Sequence, residues 1–361
     1  MRELAKAQAA SGLHAGVGFG VIRSRNWPLH YEAELRSLGL PFYLAQTLQA
    51  FGTAQFLWQR WRKPPIGKWV EELAAHCGTS SVVIHFHNAW MSGVFLPLRQ
   101  NLSVRTKVVS TFHGVNAALD GQPVRHALHR WMAQRLIRFE TSLTSVDDWN
   151  LKLAERLFGL NPLRFVVIPN GVPAPVHEAP SWKGQGEFLL GHLGTISERK
   201  GWHIAAQATR QAAGTGRRIR LLIAGIGPEE AAARKVAEES NGVVEYVGHV
   251  AKPSVDFLPQ LHALAVMSAH EGLPVSIIEA LAAGVPVLAT AVGGIPSALG
   301  KDRAGWLVER EVQKLAAAII QLHDSPRDHA RLKAGAKGLF VERFNIADIV
   351  KQYDAVYRLR T

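Results

Sequence analysis

Two carboxylates, Glu271 and Glu279, stand with seven residues between them in the stretch His270–Ser297, HEGLPVSIIEALAAGVPVLATAVGGIPS. They fall on either side of a loop-to-helix junction. Ile277–Ala283 reads as a short helix, Val287–Thr290 as a strand, and Gly293–Gly294 as a second glycine loop. A helix start presents N–H groups without intrahelical partners and the positive end of the helix dipole, which suits an anionic ligand. Two acids would repel a phosphate, but a carboxylate accepts two hydroxyl donors of a sugar. A diphosphate with sugars on either side meets both demands. A plainer reading stands beside this one: Ser276-x-x-Glu279 matches a capping box that would tie down its own helix, with Glu271 an ordinary loop acid.

Three further loops carry candidate chemistry. Gly194-Thr195-Ile196-Ser197-Glu198-Arg199-Lys200-Gly201 follows an apolar run, and its backbone amides with Lys200 would clamp phosphate oxygens. Ala224-Gly225-Ile226-Gly227-Pro228 is a weaker signal, because a lone G-x-G is also an ordinary turn. In Val247-Gly248-His249-Val250 the histidine is as consistent with a solvent-exposed side chain as with a functional one. In the first half, His85 and His87 lie at the end of Val82–His87, and His113 directly follows Lys107–Phe112. Strand-end histidines are commonly structural, and no third ligand suggests itself for a metal at His85 and His87.

The elements that must position these residues alternate. Strand signals at Phe188–Leu193, Arg220–Ala224, Val243–Tyr246, Ala263–Met267 and Val287–Ala289 are separated mostly by helical segments, which predicts a parallel sheet. In the first half Ala15–Ile22, Val82–His87, Lys107–Phe112, Leu143–Ser145 and Phe165–Ile168 read as strands. Met1–Gly12 reads as the second half of a helix, so the strand and glycine loop that normally open a doubly wound domain are expected to be missing. Ala174–Gly186, rich in proline and glycine, reads as a linker. Gly305–Val308 reads as an edge strand, and Arg343–Arg358 as a helix with a stripe of Phe344, Ile349, Tyr353, Val356 and Tyr357.

The E-x7-E spacing, with the following G-V-P-V-x-A-T-x-V-G-G-x-P, resembles the signature of retaining glycosyltransferases of family 4, with the two-domain B-type fold. Thr111–Gly114 resembles that family's T-x-H-G segment, Gly194–Gly201 its G-R-L-x-x-x-K-G, and Pro169–Val172 its I-P-N-G-V turn. The resemblance runs from about residue 4 to 358 and is strongest at 187–310. It implies two Rossmann-like α/β domains facing a cleft. The acceptor-side domain would be residues 1–173, with a returning C-terminal helix at 344–361, and the nucleotide-sugar domain 187–343. It also implies transfer of a sugar from a nucleoside-diphosphate sugar to an acceptor hydroxyl by front-face displacement. His113, Glu271 and Lys200 would act on the sugar and leaving group. Glu279 would hold the ribose, and Arg199, Thr195, Gly194, Gly225, Gly248, Gly272, Leu273, Pro274 and Val275 would line the donor site. Thr195 departs from the pattern, standing where an arginine normally contacts the diphosphate, so a bidentate donor is missing and Arg199 is the candidate replacement. No cofactor and no obligatory metal is expected, since Asp147–Asp148 lacks Asp-x-Asp spacing. Two other functions fit the same residues: a nucleotide-sugar epimerase, or a binding protein without turnover.

Composition narrows the partners. The 361 residues suffice for two domains with their own cores, and 47% hydrophobic content excludes a disordered chain. The single cysteine, Cys77, excludes a disulfide framework and implies a reducing cytoplasm. A net charge of +12 favours anionic partners. Nucleic acid is not expected, for want of a basic block or a binding motif. Ala50–Lys63 mixes aromatic and basic residues and could lie on the anionic inner face of the cell membrane, although a domain-surface helix burying one face is the plainer reading. Val124–Phe139 reads as a basic amphipathic helix. The uncharged run Ala280–Gly300 is long enough for a membrane span, but Pro286, Pro296 and its glycines break it up. A glycan or lipid-linked acceptor is the expectation that follows.

Overall fold

The computed structural model describes residues 2–11, 19–23, 42–46, 66–87, 102–113, 142–159, 161, 163 and 165–358. The chain divides into two compact units: Met1–Ile168 with Ile349–Thr361, and Pro169–Asp348. Ala50–Lys63, Val124–Phe139 and Ala15–Gly18 lie outside the described residues.

In the first unit α1 (Arg2–Ala10) is followed by β1 (Phe19–Arg23) and β2 (Phe42–Gln46), paired in parallel. After α2 (Ile66–His76), four parallel strands form a sheet in chain order: β3 (Ser81–Phe86), β4 (Arg105–Phe112), β5 (Ser142–Ser145) and β6 (Phe165–Val167). The last five residues of β4 are all buried, as a strand covered on both faces requires. Between β5 and β6 runs α3 (Asp148–Phe158), capped by Asp147 through Asn150 N at 2.6 Å and ended by Gly159 at φ 65°.

The second unit begins with chain that the sequence marks as linker; residues 174–186 carry no helix or strand, yet they are packed. Trp182 is buried against Phe188, ring centroids 5.0 Å apart, and its Nε1 donates to the His323 carbonyl at 2.7 Å. Few aliphatics made the segment look detached, yet one tryptophan anchors it in the core. The strands are β7 (Phe188–Leu193), β8 (Ile219–Ala224), β9 (Val244–Gly248), β10 (Ala263–Val266), β11 (Val287–Ala289) and β12 (Gly305–Leu307). They lie in the order β12-β11-β10-β7-β8-β9, all parallel, with β12 at an edge as expected. The order reverses between β7 and β10, and outside the carboxyl ends of the strands at such a reversal an open α/β sheet has its ligand crevice. The connecting helices are α4 (Trp202–Ala213), α5 (Glu230–Glu238), α6 (Pro253–Asp256), α7 (Val275–Ala283), α8 (Ile295–Leu299), α9 (Val312–Asp324) and α10 (Pro326–Arg343). α4 packs against α5 and α9, while α7 packs against α8 and α10. Every residue of β10 and β11 is buried, so both faces of the sheet are covered.

The final helix, α11 (Ile346–Arg358), buries Ile349, Tyr353 and Val356, the stripe read from sequence, and joins the first unit from Ile349 onward. Just before it, Val172 and Asn345 form a parallel bridge, with Val172 N donating to Phe344 O and Ile346 N to Val172 O, both at 3.0 Å. No helix among the described residues is long and apolar enough to cross a membrane; Ala280–Gly300 is instead a helix, a strand and loops.

Several histidines whose protonation is disfavoured in the folded chain make it acid-sensitive. Burial, with the Lys200 ammonium nearby, pulls His192 down to about 4. Burial and His329 do the same for His262, also to about 4, and burial takes His85 to about 3. Each folded value lies below the ordinary 6.5, so the unfolded chain binds these protons more readily. Their stabilisation is complete above about pH 6.5 and is lost as the pH falls toward 4. Urea midpoints measured across that window should fall with pH, and His192→Leu should show a shallower fall than the parent.

Candidate functional site

The glycine motifs of the second unit meet at the carboxyl ends of its strands. Gly194, directly after β7, donates its N–H to Ala224 O at 3.0 Å, and Gly225, directly after β8, donates to Gly248 O at the end of β9 at 2.7 Å. Gly225 sits at φ +140°, and a Cβ there would fall 1.8 Å from Gly194 O, so only glycine allows these loops to lie so close. The Tyr246 hydroxyl donates to Gly225 O at 2.8 Å and holds the turn from below. Thr195 is exposed on this surface.

The loops that follow β7 and β10 are joined across the reversal of strand order. Ala269 N donates to Arg199 O at 2.8 Å, and Arg199 Nη1 donates to His270 O at 2.9 Å. Gly201, at φ +71°, lies where a Cβ would meet Met267 O at 2.1 Å. Arg310 strengthens the same seam, donating from Nε to Met267 O at 2.9 Å and from Nη2 to Glu198 O at 2.7 Å. At the centre Lys200 Nζ and Glu271 Oε1 form an ion pair of 2.5 Å, with side chains 21% and 10% exposed. Ser268 Oγ donates to the same carboxylate oxygen at 2.7 Å. The Ser268 carbonyl in turn accepts from Thr290 Oγ1 at 2.6 Å.

Beyond Glu271 the loop runs into α7. Gly294 N donates to Gly272 O at 2.8 Å, and Gly293, at φ +59°, comes so close that a Cβ would meet Glu271 O at 1.9 Å. Leu273 is buried, and its carbonyl accepts from Asn170 Nδ2 at 3.0 Å, which gives the Pro169–Val172 turn a part in holding this loop. The helix begins at Val275, two residues earlier than the sequence suggested, with Pro274 at φ −65° as its N-cap and no side chain capping it. Ser276 is therefore inside the helix, and the capping box of Ser276 with Glu279 does not form. Proline fixes the backbone at the cap and leaves the first N–H groups of α7 uncovered by a side-chain acceptor. Glu279 lies one turn further along, half-buried. Val275 is exposed.

The structure thus brings together Gly194, Thr195, Arg199, Lys200, Gly225, Gly248, Glu271, Gly272, Leu273, Pro274 and Val275 at one end of one sheet. Arg199 is near the pair, though one of its terminal nitrogens is spent on His270 O. Ser268, Arg310, Tyr246, Thr290 and Asn170 were missed from sequence. Arg310, Tyr246, Thr290 and Asn170 act through hydrogen bonds to backbone carbonyls distant in sequence, and Ser268 through one to the Glu271 carboxylate, none of which follows a recognised spacing. A cavity of about 390 Å³ also opens among the ends of β10, β11 and β12, lined in part by Ala269, Thr290, Val292, Leu307 and Arg310.

In the first unit His113 follows β4, and its Nε2 lies 2.9 Å from His87 Nδ1. His85 is bound on both sides, Nδ1 to the Tyr357 hydroxyl at 2.7 Å and Nε2 to Thr111 Oγ1 at 2.6 Å. Asp147 spends both oxygens on Asn150, consistent with a structural rather than ligand-binding acid.

A family model described as Glycosyl transferases group 1 matches residues 187–325, and one described as Glycosyl transferase 4-like domain matches residues 1–171. Together these two glycosyltransferase models take in most of the chain. WcaL of Salmonella typhimurium, named for colanic acid biosynthesis, is 30% identical over 266 residues, covering 70% of this chain and 63% of that protein. WcaL of Escherichia coli is 30% identical over 281 residues, covering 69% and 65%. The chain thus spans slightly less than two thirds of the length of these relatives. The Anabaena protein Alr3699/HepE, solved in complex with UDP, superimposes with a TM-score of 0.77 at 17% identity over 99% of this chain and 95% of that one. That likeness shows the fold: Rossmann-like units of the B-type glycosyltransferases.

Lys200 and Glu271 are coupled across the seam. Lys200→Met and Glu271→Gln should each cost about 1–3 kcal/mol, and the double variant should fall short of their sum by about 1 kcal/mol or more. Urea denaturation of the four proteins measures this coupling.

Proposed function

We propose that this chain is a retaining glycosyltransferase that moves a sugar from a nucleoside-diphosphate sugar to an acceptor hydroxyl. The observation that carries the reading is the Lys200–Glu271 pair, set at the reversal of strand order beside an α7 start that no side chain caps. Lys200 and the α7 N–H groups supply fixed positive potential for the diphosphate as its charge develops, and such preorganised electrostatics is the main catalytic term for a leaving group of this kind. Glu271 accepts hydroxyl donors of the sugar, and its bond from Ser268 holds it in place. Glu279 takes the ribose hydroxyls. The uncovered backbone around Gly194, Gly225 and Gly248 receives the nucleotide, with Arg199 assisting at the position where Thr195 supplies no guanidinium. His113 positions the donor sugar, a role that rests on the resemblance of Thr111–Gly114. In a front-face displacement the anomeric C–O bond to the diphosphate breaks while the acceptor oxygen bonds on the same face. The acceptor proton passes to a diphosphate oxygen.

The two WcaL relatives are named for colanic acid biosynthesis, which supports an envelope polysaccharide or lipid-linked glycan as acceptor. The net charge of +12 supports work at the anionic inner face of the cell membrane. A nucleotide-sugar-binding protein without turnover is the second reading, and Thr195 is the observation that favours it.

Screening sugar nucleotides for release of nucleoside diphosphate tests the first reading. A donor should be found, and the product should keep the anomeric configuration of the donor. Glu271→Ala and Lys200→Ala should each lose about a hundredfold or more in turnover. Turnover should persist in EDTA; complete loss would show a metal requirement. Nucleotide binding without any release would favour the second reading.

A further inference from the structure

We propose that Glu271 makes the site favour an intact sugar nucleotide over the spent nucleoside diphosphate, by opposing the charge of the one while accepting the hydroxyls of the other. This rests on the reading of the site as that of a sugar nucleotide. The nucleoside diphosphate left after transfer differs from its donor in two respects. It has lost the sugar with its hydroxyls. Its terminal phosphate also gains a second ionisable oxygen, with a pKa of about 6, so at neutral pH it bears roughly one more negative charge. A site that offered cations alone would hold this product more tightly than the substrate. Departure of the product would then be the slow step.

The geometry around Lys200 opposes that outcome. One of its three N–H donors meets Glu271 Oε1 at 2.5 Å, so an incoming anion finds an ammonium already balanced by a carboxylate. The carboxylate is held there. Ser268 Oγ donates to the same Oε1 at 2.7 Å, Ser268 is itself buried, and its carbonyl accepts from Thr290 Oγ1 at 2.6 Å. The backbone of the acid is fixed as well. Gly293 packs so close that a Cβ would meet Glu271 O at 1.9 Å, and Gly294 N donates to Gly272 O at 2.8 Å. Glu271 therefore keeps its charge beside the ammonium, in the loop that leads to the uncapped start of α7. The nearby guanidinium groups are tied to backbone: Arg199 donates to His270 O, and Arg310 to Met267 O and Glu198 O. Removal of the Glu271 charge is thus felt first at Lys200. Among the described residues both donors to this carboxylate go to Oε1, and Oε2 receives none. A fixed acceptor of this kind suits a sugar hydroxyl, which brings a proton to it. An ionised terminal phosphate brings none and meets like charge instead.

Titration calorimetry with UDP, GDP and ADP, and with a sugar nucleotide of whichever base binds, tests this on the parent, Glu271→Gln and Glu271→Ala. Two charge-removing variants are used so that one folded protein suffices. Glu309→Gln is the control: Glu309 is an acid just beyond β12, 68% exposed and 3.8 Å from Lys314. Either Glu271 variant should bind the nucleoside diphosphate about threefold to thirtyfold more tightly than the parent, and the sugar nucleotide no more tightly. Glu309→Gln should change neither affinity by more than about twofold. An unchanged diphosphate affinity in a folded Glu271 variant would overturn the proposal. So would weaker binding, which would make Glu271 a splint that aims Lys200 at the phosphates. Equal tightening in Glu309→Gln would also overturn it, by reducing the effect to net charge. A parent that binds none of the nucleotides defeats the functional reading and the proposal with it, whereas binding with the wrong ranking defeats the proposal alone.

Discussion

The ion pair of Lys200 with Glu271 is made possible by a backbone constraint, and most of the second unit is arranged to satisfy it. Two loops that follow strands on opposite sides of the sheet's point of reversal must touch. They do so because Gly201 leaves room for the Met267 carbonyl, because Ala269 and Arg199 bond across the seam, and because Arg310 ties both loops from a third strand end. The charges then meet at 2.5 Å in a setting where neither side chain is more than about a fifth exposed. An exposed pair would be worth little. This one is partly shielded, and the Ser268 hydroxyl steadies its carboxylate.

Close packing and ligand access impose opposite demands on these loops, and glycine reconciles them. At Gly225 and Gly293 a neighbouring carbonyl occupies the space of a side chain, so the loops are rigid and yet present backbone rather than bulk. Pro274 adds a helix start fixed in angle and bare of side-chain caps. The outcome is a surface that offers N–H groups and one ammonium for an anion, with a carboxylate beside them for hydroxyls. The first unit uses a different economy: histidines at strand ends are held by hydroxyls of the C-terminal helix and of neighbouring strands, and are kept neutral by burial.

Much of this was legible in the sequence because it is local. Strand–helix alternation located β7 to β12 within two residues, and the E-x7-E, K-G and glycine-loop motifs named the loops that meet. The exceptions share a cause. The capping box failed because Pro274, with its fixed φ, starts the helix ahead of Ser276. The place of Trp182 in the core was not legible because its packing depends on His323 and Phe188, far along the chain or across the core. Ser268, Arg310 and Asn170 were invisible because serine, arginine and asparagine acquire their roles here from tertiary neighbours, not from spacing. His87 was seen, but only the register of β3 on β4 brings it to His113.

The central claim is that the seam between the loops after β7 and β10 is where the anion of an activated sugar binds. Hydrogen–deuterium exchange with and without a nucleoside diphosphate tests it most directly. Peptides covering Gly194–Gly201 and Glu271–Ile278 should gain protection together, and Lys200→Ala should abolish the gain in both. Protection confined to other segments, with these two unchanged, would contradict the account.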